Sequence, residues 1–146
     1  MAACGSSTPP EKGATGTAGP PGAGVVTFYT ATTISGPLEI TSGPDGALWF
    51  TSYNFNGIGK ITTAGVVSFY DDSNSNVPWG IASGSDGALW FTNHGDNTIG
   101  RITTSGTVTN YPGTGIDGPE GIAAGPDGAL WFTNTLGSTI GRIHRR

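Results

Sequence analysis

The decapeptide GPDGALWFTS begins at Gly43, recurs as GSDGALWFTN from Gly84, and recurs again as GPDGALWFTN from Gly125, at a spacing of 41 residues without insertion. The match extends well beyond these ten letters. GVVTFY (Gly24 to Tyr29) answers to GVVSFY (Gly65 to Tyr70) and GTVTNY (Gly106 to Tyr111). PLEI from Pro37 answers to PWGI from Pro78 and PEGI from Pro119, and IGKITT from Ile58 to IGRITT from Ile99 and IGRIHR from Ile140. So strict a period means that one supersecondary unit is stacked on copies of itself. A unit of this kind cannot bury its apolar faces alone.

Each period holds four short strand candidates, seen in the second copy at Gly80–Ala82, Ala88–Thr92, Thr98–Thr103 and Thr107–Tyr111. No segment carries apolar residues at helical spacing over a useful length. Asp86-Gly87 is a hairpin signal between the first two strands, and "NHGDN" and "TSG" separate the others. Four strands in about forty residues describe a β-propeller blade. The expected fold is therefore all-β, as three four-stranded blades over residues 24–146. The low charge (11%) and 26 glycines suit short strands joined by tight turns.

Along ALWFT, Leu and Phe point one way and Ala, Trp and Thr the other. Both faces are apolar, as a strand packed between two neighbours requires. Trp49, Trp90 and Trp131 are thus expected as inter-blade packing residues rather than ligand contacts. Asp45, Asp86 and Asp127 form a carboxylate array by position. Asp followed by Gly reads instead as a turn former, with Gly46, Gly87 and Gly128 supplying positive φ.

Residues 1–23 lack the period and are rich in Gly, Ala, Pro, Ser and Thr, the composition of a flexible linker. One cysteine excludes an intrachain disulfide. Its setting, Met1-Ala2-Ala3-Cys4-Gly5, resembles the end of a bacterial lipoprotein signal. Cys4 is either a lipidation site, which implies an extracytoplasmic, lipid-anchored protein, or a chance cysteine in a tail. With net charge −4 and few Lys and Arg, nucleic acid is a poor partner, and no apolar run reaches transmembrane length.

The blade sentence P-x-G-I-A-x-G-x-D-G-A-L-W-F-T-N, followed by N-x-I-G-R-I-T-T-x-G-x-V, resembles the virginiamycin B lyase (streptogramin B lyase) family from Val25 to Ile143. The resemblance implies a β-propeller, seven-bladed in that family, and a metal-dependent elimination that opens cyclic depsipeptide antibiotics at the ester bond. That chemistry needs a base to take a proton beside the ester carbonyl and Mg²⁺ to stabilise the charge. In the family pattern His fills the x of P-x-G-I within Glu-Pro-His-Gly-Ile, and a metal-contacting Glu follows a W-F-x strand. Here the His slot holds Leu38, Trp79 and Glu120, and the residue before its Pro is Gly36, Val77 or Gly118. The residue after WFT is Ser52, Asn93 or Asn134. No catalytic residue carries over. His94 and His144 lie outside those slots and read as surface residues.

Glu120 remains the one acid in a family slot. With Trp79, Asn93, Asn134 and Ser52 it is expected to line a ligand cleft. The expected function is a non-catalytic scaffold for a small-molecule or protein ligand, with no cofactor. The alternative is a lyase of the family's type, with Mg²⁺ and Glu120 as its acid.

The chain starts on a fourth-strand sequence, Val25 to Tyr29, and ends on a third, Ile140 to Ile143. Three blades are too few to close a ring. Two readings are open: a homodimer of six blades in which each N-terminal strand completes the partner's last blade, or a remnant of a longer propeller.

Overall fold

A computed structural model describes residues 7–12, 15–17 and 24–145. These form strands and no helix. They are β1 (Ser7–Lys12), β2 (Thr15–Thr17), β3 (Val26–Phe28), β4 (Pro37–Ser42), β5 (Leu48–Ser52), β6 (Gly57–Ile61) and β7 (Val66–Asp71). They continue as β8 (Pro78–Ser83), β9 (Leu89–Asn93), β10 (Thr98–Ile102), β11 (Val108–Pro112), β12 (Pro119–Ala124), β13 (Leu130–Asn134) and β14 (Thr139–Ile143).

The blades are the antiparallel meanders β4–β7, β8–β11 and β12–β14, the last with three strands among the described residues. Their first strands, β4, β8 and β12, lie side by side at the inner ends. The glycine of each Asp-Gly turn takes positive φ, near 77°, as the sequence predicts. Two strands fall within the stretch expected to be linker: β1 pairs with β7, and β2 pairs with β3. Cys4 lies outside the described residues.

The repeat letters are an assembly code between blades. Trp49 and Ile58 of the first blade pack on Ile81, Leu89, Phe91 and Ile102 of the second. Trp90 and Ile99 of the second pack on Leu130 and Phe132 of the third. A Trp face thus always meets the Leu/Phe face of the next blade. Tyr70 stacks on Trp49, and Tyr111 on Trp90, both with centroids 5.4 Å apart. Gly59, Gly100 and Gly141 let the rings of Phe50, Phe91 and Phe132 lie flat on the neighbouring strand, where a Cβ would overlap them.

The aspartates do more than form turns. Each accepts the indole N–H of its own Trp at Oδ1: Trp49 to Asp45 (3.0 Å), Trp90 to Asp86 (3.1 Å) and Trp131 to Asp127 (3.1 Å). At Oδ2 each pairs with the cation of IGRI: Lys60 (2.6 Å), Arg101 (2.7 Å) and Arg142 (2.8 Å). The cations also lie over the indoles, at 5.2, 5.8 and 5.7 Å from the ring centroids. Burial alone would raise the Asp86 carboxyl, but hydrogen bonds from Arg101, Trp90 and the Ala88 amide outweigh it and hold it below its usual 3.8. Asp45 is lowered in the same way through Lys60, Trp49 and Ala47. Hydrogen bonds from Trp131 and Arg142 bring Asp127 down to about 2.

A third device joins the inner strands. Thr51 accepts the Glu39 amide (3.2 Å) and donates its hydroxyl to the Trp79 carbonyl of the next blade (2.7 Å). Thr92 accepts from Gly80 (2.9 Å) and donates to the Glu120 carbonyl (2.6 Å). Thr133 accepts from Gly121 (2.9 Å) on a face that no further blade of this chain covers. There the Trp face is open. Trp131 is 40% exposed and Ile140 66%, against 2% for Trp90 and 0% for Ile99.

Two measurements check these contacts. Gly100→Ala is expected to cost about 1–3 kcal/mol in urea unfolding, because the methyl displaces the Phe91 ring. Depressed carboxyls contribute stability that is complete above their unfolded value of 3.8 and is lost as pH falls through their folded values. Stability is therefore expected to decline as pH falls from about 4 toward 2 in urea unfolding, with a smaller pH dependence in Asp86→Asn.

Candidate functional site

The x of P-x-G-I is the second residue of each inner strand. On the second and third blades its carbonyl accepts the hydroxyl of the preceding blade's threonine, Thr51 for Trp79 and Thr92 for Glu120. Trp79 and Glu120 occupy adjacent x positions, on β8 and β12, and both are half-buried. His94 comes directly after β9, and its amide donates to the Val77 carbonyl (3.0 Å), which places the ring at the same end. Its Nε2 lies 3.6 Å from Glu120 Oε1. Its ring sits 5.5 Å from that of Trp79, tilted by 39°. Indole, imidazole and carboxylate thus meet where the second and third blades join.

The other expected cleft residues are placed differently. Ser52, Asn93 and Asn134 are buried at the ends of their strands. Ser52 donates to the Ser35 carbonyl (2.7 Å). Asn134 donates to the Gly115 carbonyl (2.8 Å) and Thr139 (3.0 Å) and accepts from the Asp117 amide (3.2 Å). These side chains latch a strand end to the segment that enters the blade. Asn93 differs: its Nδ2 donates to Thr98 (3.0 Å) and Asn110 (3.1 Å), while its Oδ1 is buried without a protein partner. Asn110 in turn donates to the buried Asp72 (2.8 Å), which also accepts from Ser75. Nearby, burial raises the Asp96 carboxyl, and the charge of Asp72 adds to the rise.

His94 is the member that sequence reasoning set aside as a surface residue. It is one position past the WFTN run, and strand pairing puts that position beside the start of P-x-G-I: Pro78 opposes Asn93. The second histidine, His144, lies by Arg142 on the terminal strand's side, away from this cluster.

The chain matches the Virginiamycin B lyase family over residues 10–146. It belongs to that family. Virginiamycin B lyase from Staphylococcus aureus is 43% identical, with a TM-score of 0.77 over 88% of this chain and 44% of that one. A catalytically inactive His-to-Ala form of that enzyme, with quinupristin, is 45% identical at a TM-score of 0.76, over 82% and 41%. The chain therefore spans less than half the length of these enzymes. A nidogen/laminin complex shares the fold at 16% identity, with a TM-score of 0.69.

Among the described residues no group of three or more His, Cys, Asp or Glu converges.

The two classes of residue separate by experiment. Asn93→Ala and Asn134→Ala leave buried partners unpaired and are expected to cost about 1–3 kcal/mol each in urea unfolding. Glu120→Gln and His94→Ala, both solvent-accessible, are expected to stay within about 0.5 kcal/mol of the parent.

Proposed function

We propose that this chain is a streptogramin-lyase-like propeller module that binds a small ligand at Trp79, His94 and Glu120 without cleaving it. The observation that carries the reading is the meeting of these three side chains across two blades. An indole face takes an aromatic or apolar group, while the carboxylate and imidazole fix a polar one. Ser52 and Asn134, latched to the entering segments, and Asn93, bonded to Thr98 and Asn110, support it, because side chains that the fold itself uses stand where the family resemblance places an acid. Cyclic depsipeptides such as quinupristin, present with the related enzyme, are the first ligands to test.

A lyase is the second reading, and the His94–Glu120 pair favours it. An imidazole beside a carboxylate is a base type suited to removing a proton next to an ester carbonyl. Among the described residues no three such ligands converge, so no step is assigned through Mg²⁺.

Titration with quinupristin, monitored by Trp fluorescence and by chromatography of the product, distinguishes the two. Saturable quenching with the ring intact is expected, weakened about tenfold by Trp79→Ala and by Glu120→Gln. Chelator-sensitive ring opening would establish the lyase instead, and Glu120→Gln and His94→Ala would then abolish it. No binding to the parent protein sinks both.

A further inference from the structure

The cluster of Trp79, His94 and Glu120 belongs to a longer row. The loop after β5 is tied to the entrance of β8 as the loop after β9 is tied to the entrance of β12. The Tyr53 amide donates to the Gly36 carbonyl (2.9 Å), and the His94 amide to that of Val77 (3.0 Å). Asn56 Oδ1 accepts the Val77 amide (3.0 Å), and Asn97 Oδ1 accepts the Gly118 amide (2.8 Å). Both asparagines take left-handed φ, 49° and 57°. Tyr53 therefore stands to Trp79 as His94 stands to Glu120, at the same offset along the chain. The Tyr53 ring is exposed, and so is Leu38, the x residue of the first blade. A phenol, an indole and an imidazole thus lead across two blade joints to one carboxylate.

The charges of the chain are sorted between its two ends. The ion pairs of the repeat hold Lys60, Arg101 and Arg142 on Asp45, Asp86 and Asp127, in the Asp-Gly turns at the far end of the blades. Lys12 is paired with Val66, where β7 starts from that end, and Arg145 follows β14, which finishes there. Among the described residues no Lys or Arg lies at the end where Trp79 and Glu120 enter their blades. Six of the ten acids do: Glu39, Asp71, Asp72, Asp96, Asp117 and Glu120. Each of these six stands where the other two copies of the repeat carry a neutral residue. None of them is in an ion pair with Lys or Arg among the described residues, and Glu120 faces His94 at 3.6 Å. The scaffold's charges therefore neutralise one another at one end, while those added outside the repeated letters are negative and collect at the other. Asp96 registers this: burial raises its carboxyl, and the charge of Asp72 adds to the rise.

We propose that this row takes an organic monocation, a protonated or quaternary amine joined to an aromatic or apolar group. The charge goes to Glu120, and the attached group lies on the indole of Trp79 and the ring of Tyr53. The inference rests on the ligand-binding reading above and adds the ligand's charge. An aromatic face beside a carboxylate suits both halves of such a molecule, since the ring attracts the cation as well as the carbon next to it. An anion would meet carboxylates there and no Lys or Arg. A metal ion would meet no convergent set of three His, Cys, Asp or Glu among the described residues.

Three probes of one shape test the charge at neutral pH: phenethylamine as cation, 2-phenylethanol as neutral molecule and phenylacetate as anion. Each is titrated against the full chain, followed by Trp fluorescence and by the NMR signals of the probe, with quinupristin in parallel. The amine is expected to bind about tenfold more tightly than the alcohol, and the acid more weakly than either. Glu120→Gln is expected to bring the amine down to the alcohol, and Trp79→Ala to weaken both by about tenfold. Tyr53→Ala is expected to weaken the amine by about threefold with the parent's circular dichroism retained. A preference for the amine that survives Glu120→Gln, or an unchanged affinity in Tyr53→Ala, overturns the inference. So do three probes that bind alike or not at all while quinupristin binds, and in that case the ligand site itself stands. Failure of all four to bind removes the ligand site as well.

Discussion

The indole of each blade is held at two points, by partners that also hold each other. Its N–H is fixed by an aspartate, a cation lies over its ring, and the same aspartate holds the cation. A large flat side chain that is fixed in this way becomes a rigid wall, and the next blade is built against it. Exposed ion pairs contribute little by themselves. Here the pair's effect is on orientation: it sets the plane on which Leu89, Phe91 and Ile102 close. The glycine that opens the GPDG turn has to be glycine for the same reason, since a Cβ there would overlap the indole.

Much of this was legible in the sequence because it is written three times. The period gave the blade, its strands and the packing role of Trp49 and Trp90. The aspartates were read only in part. A turn former and a clamp for Trp and Arg look alike along the chain, since the partners are four and fifteen residues away and meet through strand pairing. Trp131 shows the limit from the other side. It stands in the same letters as Trp90 but is 40% exposed, because burial depends on whether a further blade stands against it in space.

Two members of the side-chain cluster proposed to bind a ligand were legible in the sequence. Trp79 and Glu120 stood out by occupying a slot that differs among otherwise matching repeats. His94 did not, since its partner is on the neighbouring blade and a lone histidine in a turn carries no spacing signal. Asn93, Asn134 and Ser52 had the reverse fate. They occupy a slot that the family uses, yet strand alternation turns them inward, where they hold the fold together.

The threonine that bridges inner strands grips residues 79 and 120 by their carbonyls and not by their side chains. Position and identity are thereby uncoupled. The fold uses only main-chain atoms to hold that socket, so Trp79 and Glu120 sit in equivalent places, each between a proline and a glycine. A propeller built in this way can change what it recognises one blade at a time, with no revision of the joints that keep it together.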